Sequence, residues 1–286
     1  MSHGEAPVGT VADAAPVDPG APPRSARRVV QVRFEMRDTL IEISRGVMYR
    51  AWTFAGSVPG PVIRVTQGDS VDFTLVNRAP MPHSMDFHAA QIAPNKYYVN
   101  VMPNDSIRFQ FIAEVPGAFM YHCGTAPVAA HIANGMYGAL IVDPRTPRPA
   151  AREMVFVQSE FYLTPDPTAN PKSLSWERLL SLAPDYVTFN GRSAQYAEHP
   201  ISVKVGELLR LYVVNGPIAR RPSMWSAASS SGCSSTGHWQ TRSPVCRPWR
   251  CRLVVDRSSR SGSRRPGSIR LSRTPSPMPP RGALAS

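Results

Sequence analysis

Tyr121-His-Cys-Gly-Thr-Ala-Pro-Val-Ala-Ala-His131-Ile-Ala-Asn-Gly-Met136 is the stretch on which the reading of this chain turns. Ala118–His122 reads as a strand that ends at Cys123. A loop then returns His131 and Met136 to the same end of the structure. Cys123 is the sole Cys before Arg220, so residues 1–219 hold no internal disulfide. It is either an inert buried thiol or a reactive, metal-binding one.

Working outward, residues 29–143 read as short strands separated by Gly, Pro, Asn and Asp. Val29–Met36 alternates, with Val30, Val32, Phe34 and Met36 on one face. Val47–Phe54, Val62–Val65, Val71–Val76, Ile107–Ile112 and Gly138–Val142 complete the set. Strands at this spacing predict an all-β sandwich or barrel. No long segment has helical periodicity. Pro144–Pro149 is a Pro- and Arg-rich linker, and a second unit follows. In it Met154–Gln158, Val187–Asn190, Ile201–Val205 and Leu208–Val214 read as strands. Ser175–Leu182 reads as a short helix with Trp176, Leu179 and Leu180 on one side. This is the opening half of another β-sandwich.

The formal net charge is +12. From Arg220 onward there are 13 Arg, no Lys and one acid, Asp256, so the tail alone carries the excess. The preceding 219 residues hold 19 bases and 19 acids. A nucleic-acid partner would therefore rest on the tail alone, and none is expected from the rest. Residues 220–286 contain 16 Ser, 13 Arg and 8 Pro, and lose the apolar alternation. One reading is a disordered basic tail; another is translation out of frame from about Ala219–Ser223, which leaves the second sandwich truncated. At the other end, residues 1–28 are rich in Ala, Pro and Gly and read as a disordered lead-in, with no visible signal peptide. No apolar run is long enough for a membrane span.

Four of the seven His lie in two compact segments. His83, Cys123, His131 and Met136 give two imidazoles, one thiolate and one thioether, the donor set of a blue electron-transfer copper. His122 adjoins Cys123 on a strand, so the two side chains face opposite ways. His83 and His88 are five apart and can also lie on opposite faces. His88 and His122 can then share a second metal outside the sandwich, where two imidazoles still need a third ligand. Asp86 lies between the two His of its segment. An acid beside an open metal position donates protons or orients a bound anion.

Three segments carry a family resemblance: Thr53-Phe-Ala-Gly-Ser-Val-Pro-Gly-Pro61, Met81-Pro-His-Ser-Met-Asp-Phe-His-Ala-Ala90, and Tyr121-His-Cys through Gly138. Over about residues 29–217 the chain resembles the copper-containing nitrite reductases. The resemblance implies tandem cupredoxin domains, Greek-key β-sandwiches, over 29–144 and 150–219. It implies a type 1 copper at His83, Cys123, His131 and Met136, and a type 2 copper partly held by His88 and His122. Asp86 matches the acid that hydrogen-bonds nitrite and relays protons. It further implies a periplasmic homotrimer whose electrons come from a small cupredoxin or cytochrome c and pass through Cys123–His122. The family's third type 2 ligand comes from the neighbouring subunit's second domain. Neither His199 nor His238 matches that motif. Laccase-type multicopper oxidases fit less well, because Gly124 follows Cys123 and the first His pair is His-x4-His. The alternative function is electron transfer by a type 1 copper alone.

Overall fold

The computed structural model describes residues 15–26, 28–90, 92, 94–204 and 206–216, with the backbone of 254–255 and 267–270. In the first unit the strands are β1 (Val29–Ser44), β2 (Val47–Phe54), β3 (Ile63–Thr66), β4 (Ser70–Asn77), β5 (Asp86–Phe87), β6 (Ser106–Ile112), β7 (Gly117–His122) and β8 (Tyr137–Asp143). Short helices α1 (Pro94–Tyr97) and α2 (Val128–Ala133) interrupt the connections. The strands form two four-stranded sheets, β2-β1-β4-β6 and β3-β8-β7-β5. Between them lies an aromatic core that includes Phe34, Phe54, Phe73, Phe87, Phe109 and Tyr121. This is the sandwich expected from the alternation.

β1 runs well beyond the expected Val29–Met36. Its first half pairs in parallel with β4, and its second half forms an antiparallel hairpin with β2. Arg37 and Asp38 read as a strand end, yet both are exposed in a strand that continues through Ile41 and Ile43. β8 is buried along its whole length. Leu140 and Val142 enter the sandwich core, while Ala139 and Ile141 pack on the second unit. A strand covered on both faces reads as a continuous apolar run.

The second unit contributes β9 (Arg152–Phe161), α3 (Trp176–Leu180), β10 (Tyr186–Phe189), α4 (Gln195–Glu198), β11 (Ile201–Val203) and β12 (Leu209–Asn215). Its sheet has the order β10-β9-β12 and lies against the outer face of β8. On α3 only Leu179 is buried; Trp176 and Leu180 are 49% and 76% exposed. The expected apolar side therefore fails, because a helix of five residues presents one turn to the core. Ser175 caps it by accepting from Arg178 N–H.

The lead-in also departs from expectation. The segment 15–26 docks along β9. Val155 N–H donates to Pro19 O (2.7 Å) and Ala21 N–H to Glu153 O (3.0 Å). Val17 is held by Gln195 and Tyr196, and Pro22 O accepts from Arg64. β10 covers only the C-terminal half of β9. The remaining backbone groups of that edge require partners, and the lead-in supplies them. Residues 1–14 lie outside the described residues. Within 220–286, β13 (Val254–Val255) and β14 (Gly267–Arg270) form a three-stranded sheet with β11. The rest of the expectation for that tail, with the proposed frame change at 219–223, lies outside the described residues.

Candidate metal centre

His83 sits just beyond β4, and reciprocal backbone bonds to Val101 fix it there (His83 N–H to Val101 O 3.2 Å, the reverse 2.7 Å). β7 stops at His122, and Cys123 N–H donates to Met136 O at 3.1 Å. The β7–β8 connection contains α2 rather than a plain loop, and His131 lies on that helix. Met136 N–H donates to His131 O at 3.1 Å. Three of the predicted ligands thus share one backbone-bonded loop. β2 braces it: Tyr49 hydroxyl donates to Asn134 Oδ1 (2.7 Å), and Trp52 N–H to Asn134 O (3.0 Å).

The side chains of His83, Cys123 and His131 converge. His83 Nδ1 and His131 Nδ1 are 3.0 Å apart. Cys123 Sγ lies 3.3 Å from His131 Nδ1 and 3.9 Å from His83 Nδ1. Met136 is fully buried in the same core as Cys123. Burial, reinforced by His131, pushes His83 down to about 3, and burial pushes His131 down to about 4. Both imidazoles are therefore neutral at pH 7 and each offers a lone pair. Around one tetrahedral metal, two ligating nitrogens lie about 3.3 Å apart and a nitrogen and a thiolate about 3.6 Å apart. The donor set and its spacing fit a copper ion.

Two residues beside this group were not singled out from sequence. Ser84 N–H points at Cys123 Sγ (3.3 Å), and Ser84 Oγ accepts from Gly124 N–H (3.0 Å). The Trp52 ring lies 4.9 Å from His131 and 5.8 Å from His83, centroid to centroid. Ser84 follows a predicted ligand directly, so its position was a usable signal. Trp52 is in another strand, and nothing local marked it.

The second group forms on the other side of β7. Asp86 is the antiparallel partner of His122, and His88 N–H donates to Met120 O. His88 Nε2 and His122 Nε2 are 3.0 Å apart, with Asp86 Oδ2 3.9 Å from the latter. His122 Nδ1–H donates to Cys123 O at 2.9 Å, which leaves the Nε2 lone pair available. Burial and then His122 lower the pKa of His88, against the raising effect of Asp86. Asp86, His88 and His122 offer three donor atoms within 4.8 Å of one another, as do His83, Cys123 and His131. His199 is exposed at the end of α4, and His238 lies outside the described residues.

A multicopper oxidase family model matches residues 35–147. The solved copper nitrite reductase of Nitrosomonas europaea is 38% identical, with a TM-score of 0.60 over 67% of this chain and 69% of that one. The chain belongs to the copper-containing nitrite reductase family. Its fold is accordingly the cupredoxin β-sandwich, and its cofactor is copper. The copper-containing nitrite reductase of Neisseria gonorrhoeae is 37% identical over 220 residues, 74% of this chain. That of Pseudomonas chlororaphis is 34% identical over 203 residues. This chain spans 56% of the length of each of these two family members. Among the described residues, no helix is long and apolar enough to cross a membrane.

Proposed function

We propose that this chain is a nitrite reductase that forms nitric oxide, with His83, Cys123, His131 and Met136 holding a type 1 copper and His88 and His122 holding a type 2 copper. The observation that carries the reading is the division of Cys123 and His122, consecutive in the chain, between two donor groups. Copper, when bound, supplies the one-electron chemistry that takes nitrite and two protons to nitric oxide and water. The protein's part is to position and to connect. The Cys123–His122 peptide is a covalent route between the groups, and the His122 Nδ1 bond to Cys123 O shortens it. Asp86, about one-third exposed, faces the His88–His122 pair and is placed to bind the anion and hand it a proton. In this reading the donor is a small cupredoxin or cytochrome c, and the working form is a periplasmic homotrimer.

A second reading is electron transfer at the type 1 copper alone. It is favoured by one feature: the second group holds just two imidazoles among the described residues. Copper content, visible absorption and nitrite turnover separate the two. Two coppers per chain with nitric oxide formation are expected. One copper with a thiolate charge-transfer band and no turnover would establish the second reading instead.

A further inference from the structure

Met136 directly precedes β8, and Tyr137 opens it. Consecutive residues of an extended chain face opposite ways. Met136 enters the sandwich core with Cys123, while Tyr137 enters the apolar layer between the two units, which includes Val155, Val157 and Val214. The Tyr137 hydroxyl donates to Ser159 Oγ on β9 at 2.5 Å. Ser159 Oγ lies 2.8 Å from Thr188 Oγ1, its directly opposite partner on β10. All three residues are buried. Their hydroxyls satisfy one another and tie the start of β8 to the second unit's sheet.

The residue on the other side of Met136 is held from the same unit. Gly135 packs so closely on Val58 that a Cβ there would lie 2.6 Å from Val58 Cγ2. Val58 O in turn lies against Gly191, in the turn after β10, where a Cβ would overlap it. That turn is anchored on β9: Asn190 Oδ1 accepts from Val157 N–H (2.8 Å), and Asn190 Nδ2 donates to Val155 O (3.0 Å).

We propose that the second unit grips the chain on both sides of Met136, through Tyr137 and through Val58 and Gly135. The grip sets how the thioether is presented to the His83–Cys123–His131 group, and with it the redox potential of the copper held there. The inference rests on the reading of Met136 as a ligand of that copper.

Met136 depends on such support. A methionine side chain has three rotatable bonds and makes no strong polar contact, so its own bonding does not fix the sulfur. The backbone bonds of Met136 run to His131 and Cys123, within the same loop. They hold the loop's shape and leave its place against the sheets to packing. Close-packed interiors pass a displacement from one contact to the next. A shift of β9 or β10 therefore reaches Met136 by two routes. The axial ligand of a blue copper tunes its potential. Tyr137, Ser159 and Val58 act through it without touching the ion.

The test uses the full chain with ¹³C-labelled methionine methyls, first without copper. Loss of one resonance in Met136→Leu assigns Met136. Tyr137→Phe keeps the ring and leaves Ser159 and Thr188 bonded to each other, so the fold should survive. It should move the Met136 resonance by more than a linewidth, as should Ser159→Ala. The double variant should move it no further than the larger single change, because both remove one bond. Val58→Ala should move it by the second route. In the copper-loaded chain these variants should raise the redox potential, since a looser thioether favours the reduced ion. An unmoved Met136 resonance in Tyr137→Phe and Ser159→Ala overturns the grip through Tyr137, even where the denaturation midpoint falls. An unmoved resonance in Val58→Ala overturns the grip through Gly135. A moved resonance with an unchanged or lower potential overturns the control of potential. If the resonance moves but the copper-loaded parent lacks a thiolate band, the type 1 reading fails and the grip on Met136 stands.

Discussion

Cys123 is the residue on which the first group depends. It is fully buried, faces two neutral imidazoles, and receives Ser84 N–H at 3.3 Å. A thiolate in that position is the source of the charge-transfer colour of blue copper. Cys123→Ala should abolish the colour of the copper-loaded chain; absorption spectroscopy checks this, and a coloured variant would refute the ligand assignment. Asp86 lies on the other side of β7, away from the thiolate. Asp86→Asn should therefore slow nitrite turnover while leaving the colour intact. Loss of about 10²–10⁴-fold is the range for a positioned proton donor. Steady-state nitric oxide production measures the effect, and an unchanged rate would remove Asp86 from the proposed chemistry. That Cys123 and His122 face different groups was legible in the sequence because parity along a strand is local: the two must diverge, whatever the rest of the chain does.

The β7–β8 connection positions three of the four predicted type 1 ligands. Its tightest point is Gly135, which adopts φ +114° between the α2 cap and Met136. A Cβ there would lie 2.6 Å from Val58 Cγ2 and 3.0 Å from Trp52 O. Trp52 O is backbone of β2 and is not free to retreat. Gly135→Ala should cost about 1–3 kcal/mol of stability and displace Met136, shifting the absorption of the copper-loaded chain. Urea denaturation and visible spectra together test this; an unchanged midpoint and spectrum would show that the loop adapts. The sequence suggested a loop here but not α2. Six residues of apolar Val, Ala and Ile with one His carry too few turns for a periodicity to register. The helix expected over Ser175–Leu182 is present, but its sidedness failed for the same reason in reverse: apparent sidedness over five residues buried Leu179 alone.

Across the whole molecule, the two units are joined by a buried ionic cluster. Arg64 on β3 donates to Asp143 at the end of β8 (2.7 Å) and to Glu153 on β9. Arg148 and Arg24 add contacts to Asp143, and Arg210 on β12 pairs with Glu153. Arg64 and Asp143 are almost wholly enclosed, with side chains 4% and 0% exposed. Removing Arg64 leaves buried Asp143 to the more exposed Arg24 and Arg148, and Glu153 to Arg210. Arg64→Ala should therefore destabilise the chain by less than the cost of a fully stranded charge, about 3–5 kcal/mol. Denaturant unfolding would read this directly. The cluster also sets a pH dependence. Burial pushes both carboxyls up, but hydrogen bonds and charge from Arg64, with Arg24 and Arg148 at Asp143 and Arg210 at Glu153, outweigh it and hold both pKa values below the usual range. A depressed carboxylate stabilises the fold fully above its unfolded pKa, about 3.9 for Asp and 4.3 for Glu. That contribution fades as the pH falls below about 4 toward the folded values. The parent's denaturation midpoint should therefore drop more steeply below pH 4 than that of Arg64→Leu. Parallel curves would show that the cluster contributes no such linkage.

The sequence by itself determined which residue types were available as ligands, which faces of the strands they occupy, and that two donor groups back onto one strand. These are properties of alternation and nearest neighbours, and they survive without knowledge of the partner strand. Only the tertiary structure decided what meets what. It set the β5–β7 register that brings Asp86 to His122, set the His88–Met120 backbone bond beside it, and placed Trp52 against the imidazoles of His83 and His131. It ran β1 on to Ser44 and docked residues 15–26 along the open edge of β9. Each of these depends on pairing between residues far apart in the chain, where unsatisfied backbone groups and uncovered apolar faces find partners that no local pattern names.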